Sequence, residues 1–150
     1  MVEVDGNVKF YYTIDRTDIT KDGGYMILEI DFNSDEAYYV QLCNQIILGI
    51  AMDRIREGEA LPSVRQMADR IGINMHTVNK AYSVLRQEGF VKLDRRKGAV
   101  ISLDIDKLGA IQEMREDLGV VLASGVCRGV SREETHRLVD DIFDRFSEGQ

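Results

Sequence analysis

Two cysteines, two histidines and a single proline are all that these 150 residues offer for cross-links, metal sites or rigid turns. Cys43 and Cys127 lie far apart, in no CxxC and in no metal-ligand spacing, so neither a disulfide framework nor a zinc site is expected. Both thiols have apolar neighbours and are expected to be buried and inert. Nothing pairs His76 and His136 into a metal site, and no cofactor is expected. No apolar run reaches the roughly 18 residues of a spanning helix, which argues against a membrane. The start, Met1-Val2-Glu3-Val4-Asp5, lacks the basic and apolar regions of a signal peptide. Free thiols and the missing signal point to the reducing cytoplasm.

What is present is 44% hydrophobic and 30% charged, too apolar for a disordered acidic tail. A chain of this length buries roughly 68–70% of its unfolded surface, enough for one core. An ordinary two-domain enzyme is excluded by length; a single-domain enzyme is not. Catalytic patterns are nonetheless missing. There is no GxSxG and no HExxH, and Gly23-Gly24 lacks the setting of a phosphate loop. Asp140, Asp141 and Asp144 fall on the outer side of an amphipathic helix and read as a solvated face. The chain is not expected to be an enzyme.

The net charge of −7 argues against nonspecific binding to nucleic acid. The total conceals a pattern: residues 1–35 carry −5, residues 36–102 carry +3 and residues 103–150 carry −5. Only the middle third would attract a polyanion.

The periodicity divides the chain into three parts, 1–33, 34–102 and 103–150. In the first, Val2, Val4, Val8, Phe10, Tyr12 and Ile14 alternate around Asp5-Gly6-Asn7 and read as a β-hairpin. Lys21-Asp22-Gly23-Gly24 is a second turn, Tyr25–Ile30 a candidate strand, and Asn33-Ser34-Asp35 a helix start. From Glu36 to Arg56 the apolar residues Leu42, Ile46 and Ile50 recur every four, predicting a long helix that Gly58 ends. Pro62 separates it from a short helix capped by Ser63-Val64-Arg65-Gln66, a capping box. The inner face there is Val64, Met67, Ala68 and Ile71, and Gly72 makes the bend. Asn74 caps the next helix, with Val78, Ala81, Tyr82 and Leu85 inside. His76, Thr77, Asn79, Lys80, Ser83 and Arg86 face out. Phe90–Leu93 and Ala99–Ile101 then flank the basic turn Asp94-Arg95-Arg96-Lys97-Gly98.

The third part is helical. Ile111, Met114, Leu118 and Val121 have the spacing of a helix–helix seam, weakened by Gly119 and Gly125. Ser131-Arg132-Glu133-Glu134 is a second capping box, followed by an apolar face of Leu138, Val139, Ile142, Phe143 and Phe146. Two helices this short bury each other poorly. Ile111, Met114, Leu118, Val121, Leu138, Ile142, Phe143 and Phe146 are therefore assigned to a homodimer interface, with intrachain core as the alternative.

Helix, short helix, sharp turn, helix, strand, basic turn and strand make a winged helix-turn-helix in outline. The predicted class is mainly α with a small β wing, a two-helix dimerisation tail and a β-hairpin extension at the N-terminus. A helix beginning at Asn74 can present its outer face to base edges in the major groove of operator DNA. Ser63 and Arg65 can meet phosphate at the start of the preceding helix. Arg95, Arg96, Lys97 and Gly98 can press into a neighbouring minor groove or along the backbone. Asn79 has the chemistry to pair bidentately with adenine.

Three segments carry a more specific likeness: Leu61-Pro62-Ser63-Val64-Arg65-Gln66-Met67-Ala68, Ile73-Asn74-Met75-His76-Thr77-Val78-Asn79-Lys80-Ala81-Tyr82, and Leu85-Arg86-Gln87-Glu88-Gly89-Phe90-Val91. Together they resemble the DNA-binding domain of the GntR family of bacterial transcription regulators, over about residues 35–102. The resemblance implies sequence-specific operator binding by a homodimer, usually as a repressor. It implies DNA contacts at Arg65, Met75, His76, Thr77, Asn79, Lys97 and Gly98. Asn74 and Lys80 complete the candidate surface. Family members often carry Arg or Ser near Met75 and His76, and methionine there makes no hydrogen bond. The short tail is similar to the small YtrA-like subgroup and leaves no room for a large effector domain.

Two alternatives stand beside this reading. The winged helix could be a protein-interaction module without specific DNA binding, or the regulator could carry a switch for a small-molecule effector. Residues 1–25 are extra relative to the subgroup. They are either an added hairpin or a translated leader before a start at Met26. Intact-mass measurement of the native protein decides, since a species beginning at Met1 rules out the leader.

Overall fold

The apolar residues that recur every three or four positions between 42 and 85 converge on one core. The computed structural model describes residues 28–147. Its elements are α1 (Tyr38–Ala51), α2 (Val64–Ile71), α3 (Met75–Gln87), β1 (Val91–Asp94), β2 (Gly98–Ile101), α4 (Lys107–Cys127) and α5 (Arg132–Ser147). The expected hairpin over 2–14, the turn at 21–24 and the start of the strand at Tyr25 lie outside the described residues.

Leu42 and Ile46 of α1, Met67 of α2, and Val78, Ala81 and Leu85 of α3 are almost wholly buried against one another. Val91 and Ile101 close the core from the sheet side. Tyr82 joins it with its ring, and its hydroxyl donates to the Pro62 carbonyl at 2.8 Å. That bond satisfies the one polar atom the ring brings inward. Burial raises the phenol well above its ordinary range, so it stays neutral.

α1 differs from its predicted span at both ends. Asn33-Ser34-Asp35 does not cap it; the boundary residue is Ala37, with no side-chain cap. Residues 31–36 form a turn instead, in which Asp31 accepts from the Asn33 amide and Ser34 from the Glu36 amide. At the other end α1 stops at Ala51 rather than Arg56. Met52 and Ile55 are both buried, and a continued α1 would have turned Ile55, nine residues after Ile46, to the side opposite that core residue. The chain turns through Asp53 at φ 55° and folds Ile55 back onto Gly49. A Cβ at Gly49 would stand 2.7 Å from Cδ1 of Ile55, so a side chain there would push the Ile55 side chain aside.

Residues 28–30 form no strand, contrary to expectation. Their backbone is bound by two glutamines of α1. Gln45 accepts from the Glu29 amide at 2.8 Å and donates to the Glu29 carbonyl. Gln41 accepts from the Asp31 amide at 2.9 Å and donates to the carbonyls of Asp31 and Glu36. Side-chain amides four residues apart thus do the work of a partner strand.

β1 and β2 pair antiparallel, with Val91 opposite Ile101 and Asp94 opposite Gly98. Both strands begin one residue later or earlier than expected, at Val91 and Gly98. The segment before Pro62 adds to the free edge of β2: the Gly58 amide donates to Ile101, the Ile101 amide to Glu59 and the Leu61 amide to Ala99. The tail differs sharply from this core. Neither α4 nor α5 has a buried residue.

Leu85 is fully buried at the meeting of α3, the sheet and α1. Leu85→Ala is expected to lower unfolding free energy by about 2–5 kcal/mol, read from urea denaturation followed by far-ultraviolet circular dichroism.

Candidate nucleic-acid interface

α3 acquires its outward face by elimination. Val78, Ala81, Tyr82 and Leu85 fill its inner side. Helical geometry then sends His76, Asn79 and Arg86 away from that side, while Met75, seven residues before Tyr82 and so nearly in line with it, stands beyond the packed stretch as the first residue of the helix; all four are exposed. Thr77 sits on the flank and is half-buried. Lys80 is exposed, yet its ammonium lies 3.8 Å from the centroid of the Tyr39 ring. A cation–π contact of this kind tethers the charge to the α1 side of the helix.

The start of α3 is well defined. Asn74 accepts from the His76 amide at 2.8 Å, the expected N-cap. Gly72 at φ 72° ends α2 in the left-handed conformation that the tight bend between the helices requires. At the head of α2 the capping box is complete: the Gln66 amide donates to Ser63 Oγ at 3.3 Å and the Ser63 amide to Gln66 Oε1 at 3.1 Å. Ser63 and Arg65 are both exposed there. Ser63 Oγ only accepts in the cap, so its hydroxyl hydrogen and the Arg65 guanidinium are both left to donate.

The wing tip is held from inside. Asp94 Oδ1 accepts from the amides of both Arg96 and Lys97 at 2.8 Å. Gly98 at φ 78° completes the reversal. Arg95, Arg96 and Lys97 point into solvent around this anchor. The Lys97 amide, then that of Arg96, holds the Asp94 carboxyl below its ordinary value, with the charges of Lys97 and Lys92 acting in the same direction. Composition and spacing gave no sign of Asp94 as an organiser; an Asp two residues before a turn amide is the available signal.

The predicted tail residues are placed on two long helices. Ile111, Met114, Leu118, Val121, Leu138 and Phe143 are exposed, and Ile142 and Phe146 are half-buried. Phe143 and Phe146 meet edge to face with centroids 6.0 Å apart. The second capping box forms between Ser131 and Glu134, at 2.7 and 3.1 Å. Gly119 and Gly125 do not interrupt α4. Of the thiols, Cys43 is buried and pushed up to about 11, chiefly by desolvation and then by Glu88. Cys127 is exposed, contrary to expectation, on a helix none of whose residues is buried. Among the described residues no cluster of three or more His, Cys, Asp or Glu side chains could hold a metal, and no helix is long and apolar enough to cross a membrane.

Three helices, a sharp turn and a two-stranded basic wing define a winged helix-turn-helix of the kind found in transcription regulators. The pattern of the family described as "Bacterial regulatory proteins, gntR family" matches residues 38–101. A solved structure entitled "YtrA from Sulfolobus acidocaldarius, a GntR-family transcription factor" is 34% identical, with TM-score 0.57, covering 67% of this chain and 98% of that one. A transcriptional antiterminator from Listeria monocytogenes EGD-e superposes with TM-score 0.72 at 31% identity, covering 82% of this chain and 94% of that one. The HTH-type transcriptional repressor YtrA of Bacillus subtilis is 29% identical over 119 residues, 77% of this chain and 92% of the relative. The chain belongs to the GntR family and is similar to its YtrA-like members. It is a DNA-binding transcription regulator rather than an enzyme.

Because the folded Asp94 carboxyl is held low, its two amide bonds persist above its ordinary value of 3.8 and are lost as pH falls through the lower folded value. Amide shifts of Arg96 and Lys97, followed by NMR during acid titration, are expected to change together at that lower pH. In Asp94→Ala both amides are expected to exchange with solvent faster at neutral pH.

Proposed function

We propose that the protein is a homodimeric repressor that binds a pseudo-palindromic operator. Residues 34–102 form its DNA-binding unit and residues 103–150 its dimerisation tail. The observation that carries this reading is the mismatch between the two parts. The first buries its apolar residues, whereas α4 and α5 leave Ile111, Met114, Leu118, Val121, Leu138 and Phe143 exposed. Apolar side chains exposed along two helices are stable in water when a second copy covers them. Two α3 helices about 34–36 Å apart would then enter successive major grooves on one side of the duplex. Arg65 and the Arg95–Lys97 tip supply phosphate contacts, and Met75, His76, Thr77 and Asn79 supply base contacts. The name of the Bacillus subtilis relative, a transcriptional repressor, supports the sign of regulation.

The same architecture admits an effector-controlled form. The DNA-binding unit and tail are joined through residues 102–106, anchored by the Asp104 amide on Gly89 at 2.8 Å and the Leu103 amide on Glu57 at 3.3 Å. A small molecule that altered this junction would change the spacing between the two α3 helices.

Sedimentation of the full chain is expected to give a dimer, and Leu118→Glu with Phe143→Glu a folded monomer of weakened operator affinity. Gel shifts against the DNA upstream of its own gene are expected to weaken steeply with salt. Asn79→Ala is expected to cost about 1–3 kcal/mol and relax one operator position, whereas Lys97→Ala weakens all sequences alike. A monomeric wild type, or unchanged binding by Arg65→Ala and Asn79→Ala, contradicts the reading.

A further inference from the structure

We propose that Met75 is a specificity-determining residue that recognises the C5-methyl group of a thymine in each operator half-site. The proposal rests on the DNA-reading role of α3 given above. Met75 is the first residue of that helix and is 49% exposed. It is the one large apolar side chain that α3 leaves exposed; its outward neighbours His76, Asn79, Lys80 and Arg86 are polar. The apolar residues that pack α3 begin at Val78, and Met75, absent from the core, stands one turn before them at the open N-terminal end of the helix.

Position and chemistry both limit what Met75 can read. Side chains on a helix lean toward its N-terminus, and the N-terminal residues of a recognition helix are those that approach base edges. A thioether has no hydrogen to donate and is a weak acceptor, so it distinguishes bases poorly by hydrogen bonding. What it offers is a flexible, polarisable apolar surface. Along the major-groove edges of unmodified DNA, the apolar group is the thymine methyl. Asn74 beside it accepts from the His76 amide through Oδ1, which leaves its Nδ2 to donate and gives it nothing apolar to set against a methyl. Asn79 lies one turn further along the same strip of helix surface, where its amide can address adenine. The pair therefore specifies a thymine next to the position that Asn79 reads, by two independent chemistries.

The test uses the full-length protein and duplexes selected from a random-sequence pool. Wild type is expected to enrich a half-site thymine that Met75→Ser does not enrich. Replacing that thymine with deoxyuridine removes the methyl and nothing else. Wild-type affinity is then expected to fall about fourfold per substituted half-site, the value for one buried methyl. Met75→Ser should bind both duplexes alike, and Met75→Leu, which restores an apolar tip, should discriminate again. Met75 is exposed, so equal melting temperatures are expected for all three proteins. If enriched sites tolerate deoxyuridine at every thymine, or if Met75→Ser shows the same loss as wild type, Met75 is an ordinary surface methionine and the proposal is wrong. If no sequence is enriched at all, the DNA-reading role of α3 fails first, and Met75 with it.

Discussion

The structure depends on one packing event, the burial of Val78, Ala81, Tyr82 and Leu85 of α3 between α1, α2 and the sheet. A helix has a fixed angular relation between its faces. Once those four side chains are inside, the direction of Met75, His76 and Asn79 is no longer free. The exposed face of α3 is thus a consequence of the core behind it. Tyr82 tightens the arrangement by bonding its hydroxyl to Pro62, which ties α3 to the entrance of α2. Gly72 at φ 72° sets the bend between the two helices.

Around that core, local polar contacts hold pieces of backbone that no regular element would. Gln41 and Gln45 bind the chain at residues 29 and 31 as a strand edge would. Asp94 ties down two amides and so fixes the loop on which Arg95, Arg96 and Lys97 stand. Positive charge at the wing is useful for phosphate only if its backbone is held, because long flexible side chains already lose rotamer freedom on binding. The acidic side chain in a basic turn is in this sense part of the basic surface.

The tail obeys a different rule. α4 and α5 are helices by capping, through Asp106 on the Gly109 amide and Ser131 with Glu134, rather than by burial. Local capping sets where a helix begins but supplies no partner for its apolar face. Leu118, Val121 and Phe143 accordingly stay exposed on these helices.

Much of this was legible in the residues alone. Apolar spacing located all five helices, the two capping boxes and Asn74 marked starts to the residue, and the basic turn between two short strands marked the wing. Those features depend on neighbours within four or so positions, and the sequence displays such neighbours directly. What it did not display depends on residues far apart. The early end of α1 brings Ile55 to the core, from which a continued helix would have turned it away, with Gly49 leaving room. The pairing of residues 58–61 with β2, the glutamine hold on residues 29–31 and the tethering of Lys80 over Tyr39 join segments whose proximity only the folded core creates. Cys127 shows the same division: its apolar neighbours suggested burial, but burial is a property of what packs against a helix, and among the described residues α4 buries none of its side chains.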